Sequence, residues 1–287
     1  MNRLALSAIG IAMTALSGVS HADITVNPTF AGPADAGTGA NATFIAIDGN
    51  WKGSTVLWNE STRQYGNDPS AAGFAPIGSY AWGTGLWGRA DWNTINSPGS
   101  TVPVLTSASM LAPVINYGNN CYNQAFGSSS PVAQPFPVSA APSACPPGPA
   151  VADNLNNWTS RFTGFIRITT PGAYNFSVLS DDGFFFDLYG AGGAKQSISR
   201  DFLNARNVDK FSQNLVLSEG LYQFELGAWD RLEAGAVDLR WRLPGATDFT
   251  LIPAQNLVAS VSMPGTMALG AIAGLFGWAA RRRRPAA

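Results

Sequence analysis

The chain has 287 residues, 46% of them hydrophobic and only 12% charged, with 31 glycines and 19 prolines. Its single histidine, His21, lies in the N-terminal segment, so the rest of the chain has no histidine for a Ser-His-Asp triad, a histidine base or a His-liganded zinc site. The 17 basic and 18 acidic residues are unevenly placed: residues 23–262 keep twelve basic against eighteen acidic, net −6, with no basic stripe to meet a nucleic acid.

Residues 1–22 read as a secretory signal. Arg3 supplies the positive start, Leu4 to Val19 is mostly apolar, and Ser20-His21-Ala22 is a small-x-small cleavage site. Beyond it, Gly, Pro, Asn and Ser recur every few residues between short apolar alternations, and no helical stripe of useful length appears. That pattern predicts an all-β sandwich or barrel, long enough for one large domain or two small ones. Thr43 to Ile47 and Thr55 to Trp58 read as strands. Trp82, Trp87 and Trp92 recur every five residues, a period that fits neither strand nor helix. Their indoles suit either a core or stacking on sugars. Gly and Pro density places a boundary near residue 100, dividing a region 23–100 from a domain 101–259. The first region is either separate or the opening strands of the same barrel.

Cys121 and Cys145 bracket most of a Ser-, Pro- and Ala-rich loop at 127–150. In an exported chain these two are expected to form one disulfide that ties the loop down.

From Trp158 to Leu257 the alternation sharpens. Tyr174, Phe176 and Val178 form one inward set, as do Phe184, Phe186 and Leu188, then Tyr222, Phe224 and Leu226, then Val237, Leu239 and Trp241. Burying each large side chain contributes roughly 1.5–3 kcal/mol. Asp238, Arg240 and Arg242 take the opposite face. Between the first two strands lies Ser180-Asp181-Asp182-Gly183. Two adjacent carboxylates repel, and a hard divalent cation such as Ca²⁺ is the obvious neutraliser. A solvated Asp-Gly turn is the plainer reading.

The ordered run of Thr170-Pro171-Gly172-Ala173-Tyr174-Asn175-Phe176, Ser180-Asp181-Asp182-Gly183, Glu219-Gly220-Leu221-Tyr222 and Leu239-Arg240-Trp241 resembles the protective-antigen-like lectin and adhesin domain, the PA-fourteen family. The match covers about a third of the chain. The resemblance implies a β-barrel or sandwich, carbohydrate binding in many members, and, in the yeast adhesin branch, a cis Asp-Asp pair that holds Ca²⁺. By that likeness Asp181 and Asp182 are the metal ligands. The further ligands are implied in the loop 228–235, where Asp230 is the best match and Glu233 the second; an Asn commonly stands there in the adhesins. Trp229 in the same loop either flanks a sugar or belongs to the core.

At the C-terminal end, Met263-Pro264-Gly265-Thr266, the apolar stretch Met267 to Ala280 and Arg281 to Arg284 resemble a PEP-CTERM sorting signal, although of the family's Pro-Glu-Pro only Pro264 survives. The resemblance places residues 260–287 in such a tail. It implies handling by an exosortase in a Gram-negative bacterium that secretes exopolysaccharide, with transient membrane anchoring before display at the cell surface or in a biofilm matrix.

Three functions fit these residues. The first is a secreted, non-catalytic, Ca²⁺-dependent carbohydrate-binding or adhesin-like protein. The second is a structural matrix protein without a glycan ligand. The third is a carboxylate-based glycoside hydrolase, which needs two acids about 5–9.5 Å apart. The chain has four glutamates, Glu60, Glu219, Glu225 and Glu233, and no recognisable pair among them.

Overall fold

The structure is a computed structural model that describes residues 23–59, 64–66, 81–119, 134–138, 156–231 and 235–261. The signal segment, Cys121, Cys145, Glu233 and the C-terminal tail lie outside the described residues. In chain order the strands begin with β1 (Ile24–Val26), β2 (Phe30–Ala31), β3 (Ala40–Ile47), β4 (Ser54–Asn59), β5 (Gln64–Gly66) and β6 (Ala81–Gly85). After helix α1 (Arg89–Ile95) come β7 (Val104–Ala112), β8 (Asn116–Gly118), β9 (Gln134–Pro135), β10 (Trp158–Ile168), β11 (Gly172–Asp181) and β12 (Gly183–Tyr189). β13 (Lys195–Arg200), β14 (Asn207–Lys210), β15 (Leu215–Leu217), β16 (Gly220–Asp230), β17 (Ala236–Arg242), β18 (Thr250–Leu251) and β19 (Leu257–Val258) complete the set.

These strands build two eight-stranded sheets. One runs β1-β15-β11-β17-β8-β9, with β14 on β11 and β18 on β17. The other runs β13-β12-β16-β10-β3-β7, with β19 on β10 and β2 on β16. β4, β5 and β6 form a small third sheet. The result is a sandwich; no closed barrel forms among the described residues. β3 lies between β10 and β7 in a single sheet, so a strand from before residue 100 is continuous with strands from beyond residue 150.

All four predicted inward sets are buried between the sheets. Alternation is what allows this, because one parity of each strand faces the partner sheet. Phe44 sits in an aromatic group with Tyr117, Phe136 and Phe162, ring centroids 5.0, 5.8 and 5.5 Å away. A second, smaller core lies on the outer face of the second sheet. There α1 presents Trp92 and Ile95 to Ile47, Leu86, Val102, Phe185 and Trp229. The sequence reading expected no useful helix here, and α1 is the correction. Seven residues give only two buried apolar side chains, too few to show a period of 3.6. Trp87 and Trp92 are buried, which resolves those two positions to core.

Asp238 faces away from the main core, as its parity predicts, yet it is buried. Its Oδ2 accepts from Asn116 Nδ2 at 3.1 Å and from Arg240 Nε at 2.9 Å. Burial pushes the carboxyl above its ordinary range, and the hydrogen bonds and charge of Arg240 only partly reverse that. A carboxyl raised in the folded state favours folding most below its unfolded value, about 3.9, and that contribution disappears as pH rises through the folded value. Wild type is therefore expected to lose stability relative to Asp238→Asn as pH climbs from 4 towards neutrality. Urea midpoints of the two proteins across that range are the check; parallel curves would contradict it.

Candidate functional site

Two of the connections that cross between the sheets lie side by side. β11 belongs to the first sheet and β12 to the second, so Asp181-Asp182-Gly183 is a corner rather than a hairpin turn. β16 belongs to the second sheet and β17 to the first, so the passage from Asp230 to Ala236 makes the return crossing. Asp181 pairs with Ala236 and Gly183 with Trp229, which sets the two corners in register. The Asp181–Asp182 peptide is cis.

Backbone hydrogen bonds lock the corners together. The Asp182 N–H donates to the Trp229 carbonyl at 3.1 Å, and the Arg231 N–H donates to Asp182 Oδ2 at 2.9 Å. Asp181 and Asp182 are half-buried. Asp230 shares the inward parity of Tyr222, Phe224, Leu226 and Ala228, and it lies opposite Trp158 in β10. It is therefore not a surface charge: its side chain is fully buried, and neither carboxylate oxygen reaches solvent. Gly235 makes this possible. A Cβ there would lie 2.3 Å from Trp158 Cζ2 and 2.6 Å from Asp230 Cβ, so only glycine lets the return backbone pass over the carboxylate.

Asn119 completes the neighbourhood, and the sequence reading did not single it out. It follows β8, its N–H donates to the Gly235 carbonyl at 2.9 Å, and its Oδ1 accepts from the Gly235 N–H at 3.2 Å. No local signal marks it, because Asn119 is 62 positions from Asp181 and meets this corner only through β8–β17 pairing. The Arg231 guanidinium extends over the Trp87 ring, 4.2 Å from its centroid. Burial lowers its affinity for a proton, and the charges of Asp91 and Asp182 oppose that effect.

Trp229 takes the outward parity of β16 and is also fully buried. It packs in the second core, and its Nε1 donates to the Phe202 carbonyl at 3.1 Å. Of the two readings the sequence allowed, the structure places it in the core, where its ring presents no face to a sugar.

Among the described residues no group of three or more His, Cys, Asp and Glu side chains could hold a metal ion by itself. Asp181, Asp182 and Asp230 come to the same pair of corners without closing into a three-carboxylate cluster. The donors around them are nevertheless all oxygens: two half-buried carboxylates, one buried carboxylate, the Asn119 amide and the carbonyls of the crossing backbone. That is a hard-cation set of the kind Ca²⁺ takes, in which carboxylates are supplemented by amide and main-chain oxygens. It suits no soft metal. A cleft of about 720 Å³ lined by Phe30, Pro33, Leu221 and Val258 contains none of these residues.

No family model and no curated protein sequence matches the chain. Solved structures do resemble it. It is similar to the PA14 domain of the MpAFP antifreeze protein at 14% identity, covering 82% of this chain and 97% of that one, with a TM-score of 0.43. It is similar to the epithelial adhesin 6 A domain from Candida glabrata, solved in complex with Galβ1-3GlcNAc, at 13% identity over 85% and 96% of the two chains, TM-score 0.47. A PA14 sugar-binding domain from an RTX adhesin gives 14% identity over 79% and 100%, TM-score 0.43. Among the described residues no helix is long and apolar enough to cross a membrane.

Proposed function

We propose that this is an exported, non-catalytic, Ca²⁺-dependent carbohydrate-binding protein of the adhesin type. The observation that carries the reading is the pair of sheet-crossing corners, where the Asp182 N–H donates to the Trp229 carbonyl and the Asp182 carboxylate accepts from the Arg231 N–H beside the buried Asp230. Asp181, Asp182 and Asp230 would hold the ion, with neutral oxygens from Asn119 and the neighbouring backbone filling further positions. Bound there, Ca²⁺ would supply a coordination site for vicinal sugar hydroxyls. The chain's own contribution is to fix the carboxylates: Gly183 and Gly235 bring the two backbones close, and Trp229 and Trp158 pack beneath them. Glu233, beside this corner in sequence, is the remaining ligand candidate. The motif likeness of the C-terminal tail supports a place at the cell surface or in an exopolysaccharide matrix, reached through an exosortase.

Calorimetric titration of Ca²⁺ into the purified chain tests the metal, with Asp181→Ala/Asp182→Ala alongside. Wild type is expected to bind, and at a hundredfold excess over Kd to gain about 2.7 kcal/mol of stability that the double variant lacks. A glycan array with and without chelator tests the sugar, with β-galactosides such as Galβ1-3GlcNAc as first probes. Metal binding with no calcium-sensitive glycan would leave Ca²⁺ as a stiffener of the corner in a structural matrix protein. No metal binding at all would overturn the site.

A further inference from the structure

Register across three strands of the first sheet builds a concave patch on its outer face. Lys210 of β14, Ser177 of β11 and Arg240 of β17 stand in one row, and Val208, Leu179 and Asp238 in the next. Asn175 and Arg242 make a third row. Residues directly opposite one another share a face. Asn175, Ser177 and Leu179 have the parity opposite to the inward set Tyr174, Phe176 and Val178, so that face is the outer one. Ser177 is short, and the floor dips between the long side chains of Lys210 and Arg240. Two depressions result, of about 330 and 300 Å³, and Lys210 borders both. Asn175 lies six residues along β11 from Asp181, about 20 Å away.

Two acceptors on this face are buried and have no donor. Asn175 is only 4% exposed. Its Nδ2 donates to the Phe211 and Gln213 carbonyls and to Asn214 Oδ1, at 3.1, 3.2 and 3.3 Å. Three acceptors around Nδ2 fix the amide and leave its Oδ1 without a partner. Asp238 is 2% exposed, and its Oδ2 takes the bonds from Asn116 and Arg240 while its Oδ1 takes none. Asn175 borders one depression and Asp238 the other. Two cations are in the complementary state. Among the described residues neither Lys210 nor Arg242 forms an ion pair. Arg242 donates to the neutral Asn214 Oδ1 at 2.6 Å, and its guanidinium lies 5.4 Å from the centroid of the Phe249 ring. Asp23 also borders the first depression and pairs with neither cation.

We propose that this patch is a second, calcium-independent site that binds a carboxylate-bearing saccharide, a run of uronate residues in an acidic polysaccharide. A uronate carboxylate pairs with Lys210 and Arg242. Hydroxyls donate to Asn175 Oδ1 and Asp238 Oδ1 once the exposed Lys210 turns aside, and a C–H face of the sugar rests on Phe249. The unmet groups decide between ligands. A sulfate or phosphodiester brings charge but no donor, a neutral sugar brings donors but no charge, and an amine brings the wrong charge. A ligand with both a carboxylate and hydroxyls meets every group. Asn175 and the Asp238 row lie four residues apart along β11, about 13 Å, so the ligand is a chain of two or more sugars. The inference uses none of the residues of the calcium reading.

Titration calorimetry of the purified chain with galacturonate, mannuronate, guluronate and glucuronate oligosaccharides, all in EDTA, is the test. Wild type is expected to bind at least one of them, and more weakly as salt is raised. The methyl ester of the same oligosaccharide keeps the hydroxyls and loses the charge, and is expected to bind roughly tenfold or more weakly. Lys210→Gln/Arg242→Gln is expected to lose a similar factor for the acid while leaving the ester unchanged. Phe249→Ala is expected to weaken acid and ester alike. Asp181→Ala/Asp182→Ala is expected to change neither, which separates this site from the calcium corner. Thermal melts check that each variant is folded. No binding by any uronate, equal binding of acid and ester, displacement by dextran sulfate as readily as by uronate, or full affinity in Lys210→Gln/Arg242→Gln would each overturn the assignment.

Discussion

Trp229→Ala is expected to cost about 3–5 kcal/mol of folding stability, the range for deleting a large buried aromatic. The indole is fully buried among Ile47, Leu86, Trp92 and Phe185, and its Nε1 bond to the Phe202 carbonyl disappears with it. Gly183 rests directly on this ring: a Cβ there would meet Trp229 Cε2 at 2.5 Å. The corner bearing Asp181 and Asp182 therefore loses its floor as well. Trp229→Phe keeps most of the volume and forfeits only the hydrogen bond and the outer ring, so a loss nearer 1–2 kcal/mol is expected. Urea denaturation measures both. A Trp229→Ala protein that melts like wild type while losing a sugar would return this tryptophan to the binding surface.

Phe44→Ala is expected to be equally damaging, about 3–5 kcal/mol, and to act on the whole sandwich. Phe44 stands on β3, and its ring touches Tyr117 and Phe136 across the sheets and Phe162 beside it on β10. These partners come from residues far apart in the chain, so the cavity weakens one shared core. The expected result is a single cooperative unfolding transition at lower denaturant, detected alike by tryptophan fluorescence and far-ultraviolet circular dichroism. Two separate transitions, only one of them shifted, would show that residues 23–100 fold as their own unit.

Much of the fold was legible because alternation is local. The inward sets from Tyr174 to Trp241 follow from period two alone, and the structure buries every one of them. The acidic corner was legible for the same reason: Asp181, Asp182 and Gly183 interrupt two clear alternations. Helix α1 was not legible, because it is too short to display its period. Asn119 was invisible because nothing near it in sequence refers to the corner it reaches.

Strand parity, inward side chains and the place where two carboxylates leave a strand were determined by the sequence itself, since each depends only on neighbours one or two residues away. Which sheet each strand joins was decided by the tertiary structure. That choice turned the Asp181-Asp182 turn into a crossing between sheets, laid the Asp230 to Ala236 crossing beside it, and gave Asp230 and Trp229 opposite buried faces at the end of β16. Pairing partners are fixed by burial summed over the whole core, and no short stretch of sequence carries that sum.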